Sequence, residues 1–61
     1  MWITAVDGFI YNISMARCIM IDEFSNIVAV YDTDYEICLK VCASYEEAER
    51  EFNDLIQLLN Q

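Results

Sequence analysis

Ser44-Tyr45-Glu46-Glu47-Ala48-Glu49-Arg50-Glu51-Phe52-Asn53-Asp54-Leu55-Ile56-Gln57-Leu58-Leu59 reads as one capped amphipathic helix. Ser44 followed three residues later by Glu47 forms a capping box, in which the hydroxyl takes the Glu47 N–H and the carboxylate reaches back to the Ser44 N–H. From Tyr45 the apolar residues Ala48, Phe52, Leu55, Ile56 and Leu59 recur at steps of three and four, while Glu46, Arg50, Asn53, Asp54 and Gln57 face water. Such a stripe packs on something flat, and the sequence ahead of it supplies strands.

Trp2 to Val6 and Phe9 to Ile13 are β-prone runs separated by Asp7-Gly8, a pair that favours a type I′ hairpin turn. Asn12 to Arg17 breaks the alternation and reads as a connection or short helical turn. Cys18 to Asp22, Ile27 to Asp32 and Tyr35 to Cys42 follow as three more strands, with Glu23-Phe24-Ser25-Asn26 and Thr33-Asp34 as the turns between them. The expected fold is α+β: an antiparallel β-meander of four to five strands with one C-terminal helix packed on one face. Residues 1–61 form a single domain, with strands over about 2–42 and the helix over about 45–60.

In the fifth strand Ile37, Leu39 and Val41 alternate with Glu36, Cys38, Lys40 and Cys42, so the first set is expected to meet the helix. The third and fourth strands are apolar on both sides. If Ile19, Ile21, Val28 and Val30 face the helix, then Met20, Ile27, Ala29 and Tyr31, with Cys38 beside them, face the other way. One helix covers one face, so this back face calls for a second layer, most simply another copy of the chain. Met20, Ile27, Ala29, Tyr31 and Cys38 are therefore expected to form the interface of a homodimer or higher oligomer.

Sixty-one residues bury so small a share of their surface that disulfides, metal or self-association commonly supplement the core. Cys18, Cys38 and Cys42 are odd in number and no signal peptide is read ahead of them, so reduced thiols in a cytoplasm are expected. Zinc fits poorly: histidine is absent, and Cys38 and Cys42 would stand about 13 Å apart on an extended strand. The 57% hydrophobic content argues against disorder, and there is no run of about 18 apolar residues that would span a membrane. Eleven acids against Arg17, Lys40 and Arg50 give a net charge of −8, which repels phosphates and anionic headgroups. Direct binding of nucleic acid or membrane is disfavoured, and a partner protein with a basic surface is favoured.

On the helix, Glu47, Glu51 and Asp54 lie at steps of four and three and form an acidic ridge, the expected contact for such a partner. Arg50 sits within pairing distance of Glu46, Glu47 and Asp54 and would soften that ridge. Asp32-Thr33-Asp34-Tyr35-Glu36 has the alternating acids of a calcium loop but lacks its glycine and distal glutamate, so it reads as a polar hairpin turn. Trp2, Tyr11 and Tyr31, if they share a surface, could anchor a partner or stack on a nucleobase. With no histidine, no glycine-rich phosphate loop and cysteines set in apolar strands, catalysis is not expected. Neither a cofactor nor a metal is expected.

The order Trp2-Ile3, Asp7-Gly8, Ile10-x-Asn12-Ile13 and then Ser44-x-Glu46-Glu47-Ala48 before a leucine-ended helix resembles small acidic proteins of low-GC Gram-positive bacteria and their phages. The resemblance carries no catalytic residue across. It implies a stoichiometric inhibitor of a bacterial defence or nucleic-acid-processing protein, acting through an acidic surface in the host cytoplasm. Two other readings remain open: an oligomeric binder of a nucleotide signal, and a housekeeping regulatory subunit.

Overall fold

The computed structural model describes residues 1–60. In chain order these form β1 (Trp2–Thr4), β2 (Ile10–Asn12), a 3₁₀ turn at Ile13–Met15, β3 (Cys18–Ile21), β4 (Asn26–Asp32), β5 (Tyr35–Val41) and α1 (Tyr45–Leu59). The class is α+β as expected, but the strands do not make one continuous meander. β1 and β2 pair as a two-stranded antiparallel sheet, and β3-β4-β5 make a separate three-stranded one. The division falls where the alternation breaks. Asn12 ends β2 by accepting the Ser14 N–H on its side chain at 3.1 Å, which caps the 3₁₀ turn and redirects the chain.

The register of the larger sheet overturns the face assignment made from sequence. Ile19 lies opposite Ala29, and Ala29 opposite Ile37, while Ile21 lies opposite Ile27. Cross-strand partners share a face, so Ile27 and Ala29 point inward with Ile19 and Ile21. They join Ile37, Leu39 and Ala48 in the core, and the hairpin adds Ala5 and Ile13 to it. Val28 is buried but lies between Met20 and Cys38 on the opposite face, outside that cluster. Hairpin and helix therefore cover the same face of the β3-β4-β5 sheet.

Turn chemistry sets that register. At Asp22 to Asn26 the Asp22 N–H donates to the Asn26 carbonyl at 2.9 Å and the Ser25 N–H to the Asp22 carbonyl at 3.2 Å. The β1–β2 turn repeats the pattern: the Ala5 N–H reaches the Phe9 carbonyl at 2.9 Å and the Gly8 N–H the Ala5 carbonyl at 3.0 Å. Both are three-residue loops with a left-handed final residue, rather than the two-residue type I′ turn that Asp7-Gly8 suggested. Gly8 has φ +89° and Ser25 φ +63°, whereas Asp7 stays at negative φ. Asp7 and Asp22 each accept the N–H two residues ahead, from Phe9 and Phe24, both at 2.9 Å.

A further departure lies in β5. One extra residue, Leu39, is accommodated where Ile27 pairs with Lys40 and Val28 with Cys38. The bulge resets the alternation. Ile37 and Leu39 stay in the core, but beyond them Val41 turns outward and Cys42 inward. Lys40 comes to the helix side, where its ammonium meets the Glu51 carboxylate at 2.9 Å.

The helix begins as predicted, with one change of partner. Ser44, extended at φ −151° and ψ 164°, accepts the Glu47 N–H at 3.1 Å. The Glu47 carboxylate takes the N–H of Ala43, at 2.6 Å, rather than that of Ser44. Ala48 is fully buried, with Phe52 and Leu55 packed against the core, whereas Tyr45, Ile56, Leu58 and Leu59 remain exposed.

Ser25 and Gly8 occupy equivalent turn positions, and only Gly adopts a left-handed backbone without strain. Ser25→Gly should therefore raise the urea midpoint by the equivalent of about 1 kcal/mol. Gly8→Ala should lower it by a similar amount through backbone strain alone, since an added Cβ meets nothing within 4 Å. A destabilised Ser25→Gly variant would refute this account of the turn.

Candidate functional site

Three surfaces carry the residues singled out from the sequence. On the acidic ridge, Glu47 is occupied by the cap and Glu51 by Lys40. The Glu51 carboxylate, by hydrogen bonding, raises the pKa of Lys40 above its ordinary value. Asp54 alone of the three has neither an ion pair nor a side-chain hydrogen bond among the described residues, and Arg50 has no ion pair. The other close ion pair joins Arg17 to Asp32 at 3.7 Å, on a surface where such pairs contribute little. Two of the three ridge acids thus hold the helix in place: Glu47 closes its first turn and Glu51 ties it to β5.

Trp2, Tyr11 and Tyr31 do not share a surface. Ile3 pairs with Tyr11 while Trp2 pairs with Asn12, so Tyr11 faces the core side of the hairpin and Trp2 its outer side. Tyr11 and Tyr31 stack at 6.3 Å between ring centroids, and Tyr31 and Tyr35 at 5.8 Å. The Tyr31 hydroxyl donates to the Asn12 carbonyl at 3.0 Å and that of Tyr11 to Asp7 at 2.7 Å. These two tyrosines join hairpin to sheet. A base-stacking platform of Trp2, Tyr11 and Tyr31 is not assembled, and the nucleotide-signal reading loses that support.

The interface set is likewise divided. Ile27 and Ala29 are core and Tyr31 is half-buried against the hairpin, so these three do not line a back face. Met20, exposed, and Cys38, half-buried, do share the opposite face, where they flank Val28. The three cysteines are free thiols; burial raises the pKa of both Cys38 and Cys42 and keeps them protonated. Among the described residues no helix is long and apolar enough to cross a membrane.

Large exposed apolar residues concentrate instead on the N-terminal segment. Trp2 and Phe9 are each 68% exposed and Ile10 62%, with Val6 and Met15 similarly open. Trp2, Thr4, Ile10 and Asn12 share the outer hairpin face by register. Residues 1–16 carry one charged side chain, Asp7; the other ten acids all lie between Asp22 and Asp54.

Between β1 and α1 opens a groove of about 290 Å³. It is lined by Ile3, Ile27, Leu39, Leu55 and Leu58 together with Thr4, Lys40, Glu51 and Asp54. Ile27 and Leu39 are buried and so form its floor, whereas Lys40, Asp54 and Leu58 are exposed at its solvent edge. The sequence reading missed it. Lys40 was assigned to the far side of β5, and Leu58 lies off the expected helix stripe. A bulge that rotates one strand by one residue has no signature in an alternating run such as Tyr35 to Cys42.

No protein-family model, curated protein or solved structure matches the chain.

The Asp7 carboxylate, by hydrogen bonding to it, pushes the Tyr11 phenol up to about 12; burial adds to the effect. Burial, followed by the neighbouring Tyr35, also raises Tyr31. A phenol with a raised folded pKa contributes stability that is full below its unfolded value near 10 and lost as pH climbs through the folded one. Ultraviolet titration should show a tyrosine ionising near pH 12. Asp7→Asn should return it toward 10, and the alkaline loss of stability should shrink in Tyr11→Phe. A titration curve unchanged by Asp7→Asn would dismiss the Tyr11–Asp7 bond.

Proposed function

We propose that this chain is a non-enzymatic binding protein, a phage- or prophage-encoded stoichiometric inhibitor that docks on a host defence or nucleic-acid-processing protein. The observation that carries the contact chemistry is the segregation of charge. An almost charge-free hairpin presents Trp2, Ile10, Phe9 and Val6 to solvent, and ten of the eleven acids lie in the remainder of the chain. Protein interfaces commonly have such an anatomy, with an aromatic and apolar centre inside a charged rim. The fitting partner has an apolar depression bordered by lysine and arginine. Its basic residues would meet exposed acids such as Asp54, Glu46 and Glu49, while Glu47 and Glu51 keep the helix in place. The genetic setting comes from the sequence resemblance alone.

Charge of this sign disfavours nucleic acid and anionic membrane as direct partners. The same exposed hairpin supports a second occupant, another copy of the chain. Two neutral faces can meet without bringing the acidic surfaces together, so self-association shifts from the back of β3 and β4 to the hairpin.

The test uses one partner captured from host lysate and then purified. Trp2→Ala should weaken that complex about tenfold or more while leaving the melting transition unchanged, since an exposed anchor contributes to binding and not to the core. Rising salt should weaken it further by screening the rim. Full affinity in Trp2→Ala would reject the hairpin as the contact. Sedimentation equilibrium addresses the second copy: a mass of at least twice 7.1 kDa that falls to the monomer in Ile10→Asp assigns the face to self-association.

A further inference from the structure

We propose that the groove between β1 and α1 is a binding site for an alkyl cation, occupied by the lysine or arginine side chain of a partner protein. The proposal rests on the docking reading above and names the chemistry by which a basic partner is held. At about 290 Å³ the groove lies at or below the lower limit of drug-sized pockets, roughly 300–1,000 Å³, and suits a single long side chain. Ile27 and Leu39 beneath it and Leu55 and Leu58 beside it offer a dry surface for a methylene stem. Lysine and arginine bury such stems along apolar surface while their charged heads stay at the rim.

The mouth selects the sign of the head. Its charged lining residues are Lys40, Glu51 and Asp54, of which Lys40 and Asp54 are exposed. Lys40 is committed to Glu51 at 2.9 Å, and Asp54 has no ion-pair partner among the described residues. Three residues apart on the helix, Glu51 and Asp54 are neighbours about 5–6 Å apart at Cβ, so a cation at the mouth can be shared between them. An anionic head would meet two carboxylates, backed by a chain of net charge −8. A neutral alkyl group would fill the floor but gain nothing from the Asp54 charge, which is exposed to water. The cation is the one head group that satisfies floor and mouth together.

The experiment needs no identified partner, so its failure is distinct from failure of the docking reading. Hexylammonium, hexanol and hexanoate are titrated into the whole chain while methyl NMR signals of Ile3, Leu39, Leu55 and Leu58 are followed. Nα-acetyl-lysine methylamide then presents the same stem from a peptide backbone. Hexylammonium and the lysine derivative should shift all four methyl groups along one saturating curve, hexanol more weakly, and hexanoate not at all. Asp54→Asn should weaken hexylammonium about threefold, the effect of one partly screened charge, without changing hexanol. Leu58→Lys places a cation of the chain's own at the exposed wall and should abolish the ammonium response. Equal binding of hexanoate, or indifference to Asp54→Asn, would overturn the assignment. So would binding of hexylammonium without the lysine derivative, because the site would then take free amines rather than a side chain.

Discussion

The pairing of β3 with β4 is the constraint on which the rest depends. β4 is the central strand of its sheet, and Ile27, Val28 and Ala29 are buried in succession, so both of its faces are occupied. Shifting its register by one residue would exchange Ile27 and Ala29 for Val28 and Val30 beneath the helix. Ala29 is fully buried, as is Ala48 on the helix, and both belong to the one core. A larger residue moved into the place of Ala29 would crowd a core that small side chains keep thin. The three-residue loop closed by Asp22 and Asn26 prevents this, because its carboxylate-anchored geometry permits one alignment of the strands it joins. The strained φ of Ser25 accompanies that alignment.

Legibility followed from how local each signal was. The helix, its Ser44 cap, the hairpin about Asp7-Gly8 and the turn at Thr33-Asp34 could be read because each is written in a few adjacent residues. The 3₁₀ turn at Ile13–Met15 was visible as a lapse in alternation. Ile19 and Ile21 of β3 do face the helix side as read, but the face of β4 was not legible, since a strand apolar on both sides carries no period-two signal to orient it. The two irregularities of the β4–β5 ladder, at Leu39 and at Tyr31 between the Val30–Glu36 and Asp32–Tyr35 pairs, were hidden for a related reason: a ladder gains a residue without any change in composition. One bulge shifts Lys40 to the helix side. Neither the Lys40–Glu51 bond nor the groove beside it could then be anticipated, and both follow from a single rotation of the strand.

The fate of the acidic ridge shows how a surface pattern can serve architecture before it serves recognition. Glu47, Glu51 and Asp54 form a row on a helical wheel, yet the backbone of Ala43 and the ammonium of Lys40 claim the first two. Each satisfies something the fold requires: an otherwise unpaired N–H at a helix start in one case, and alignment of helix to sheet in the other. Spacing alone does not separate such acids from free ones, because the partners come from residues distant in sequence or just outside the helix. The aromatic set divided on the same principle. Tyr31 uses its hydroxyl on the Asn12 carbonyl to hold the hairpin down, Tyr11 uses its own on Asp7 within the hairpin, and Trp2, on the opposite hairpin face, is left outside.

That division has a physical origin in size. A chain of 61 residues has too little interior to enclose every apolar side chain its strands carry. One face of each three-residue hairpin strand goes to the core, through Ile3 and Tyr11; the other necessarily faces out, with Trp2 and Ile10 on it. Exposed aromatic surface promotes self-adhesion, and a net charge of −8 opposes it by making collisions between copies repulsive except where neutral faces meet. Ten of the eleven acids, all within residues 22–54, therefore act as a guard around a hairpin whose one charged side chain is Asp7. Under the docking proposal they leave that hairpin accessible to a partner that is apolar at its centre and basic around it. Under that proposal solubility and selectivity would be two consequences of one distribution of charge, so removing the acids to probe recognition would also remove what keeps the hairpin free. Substitutions within the uncharged face, at Trp2 and Ile10, separate the two roles because they leave the guard intact.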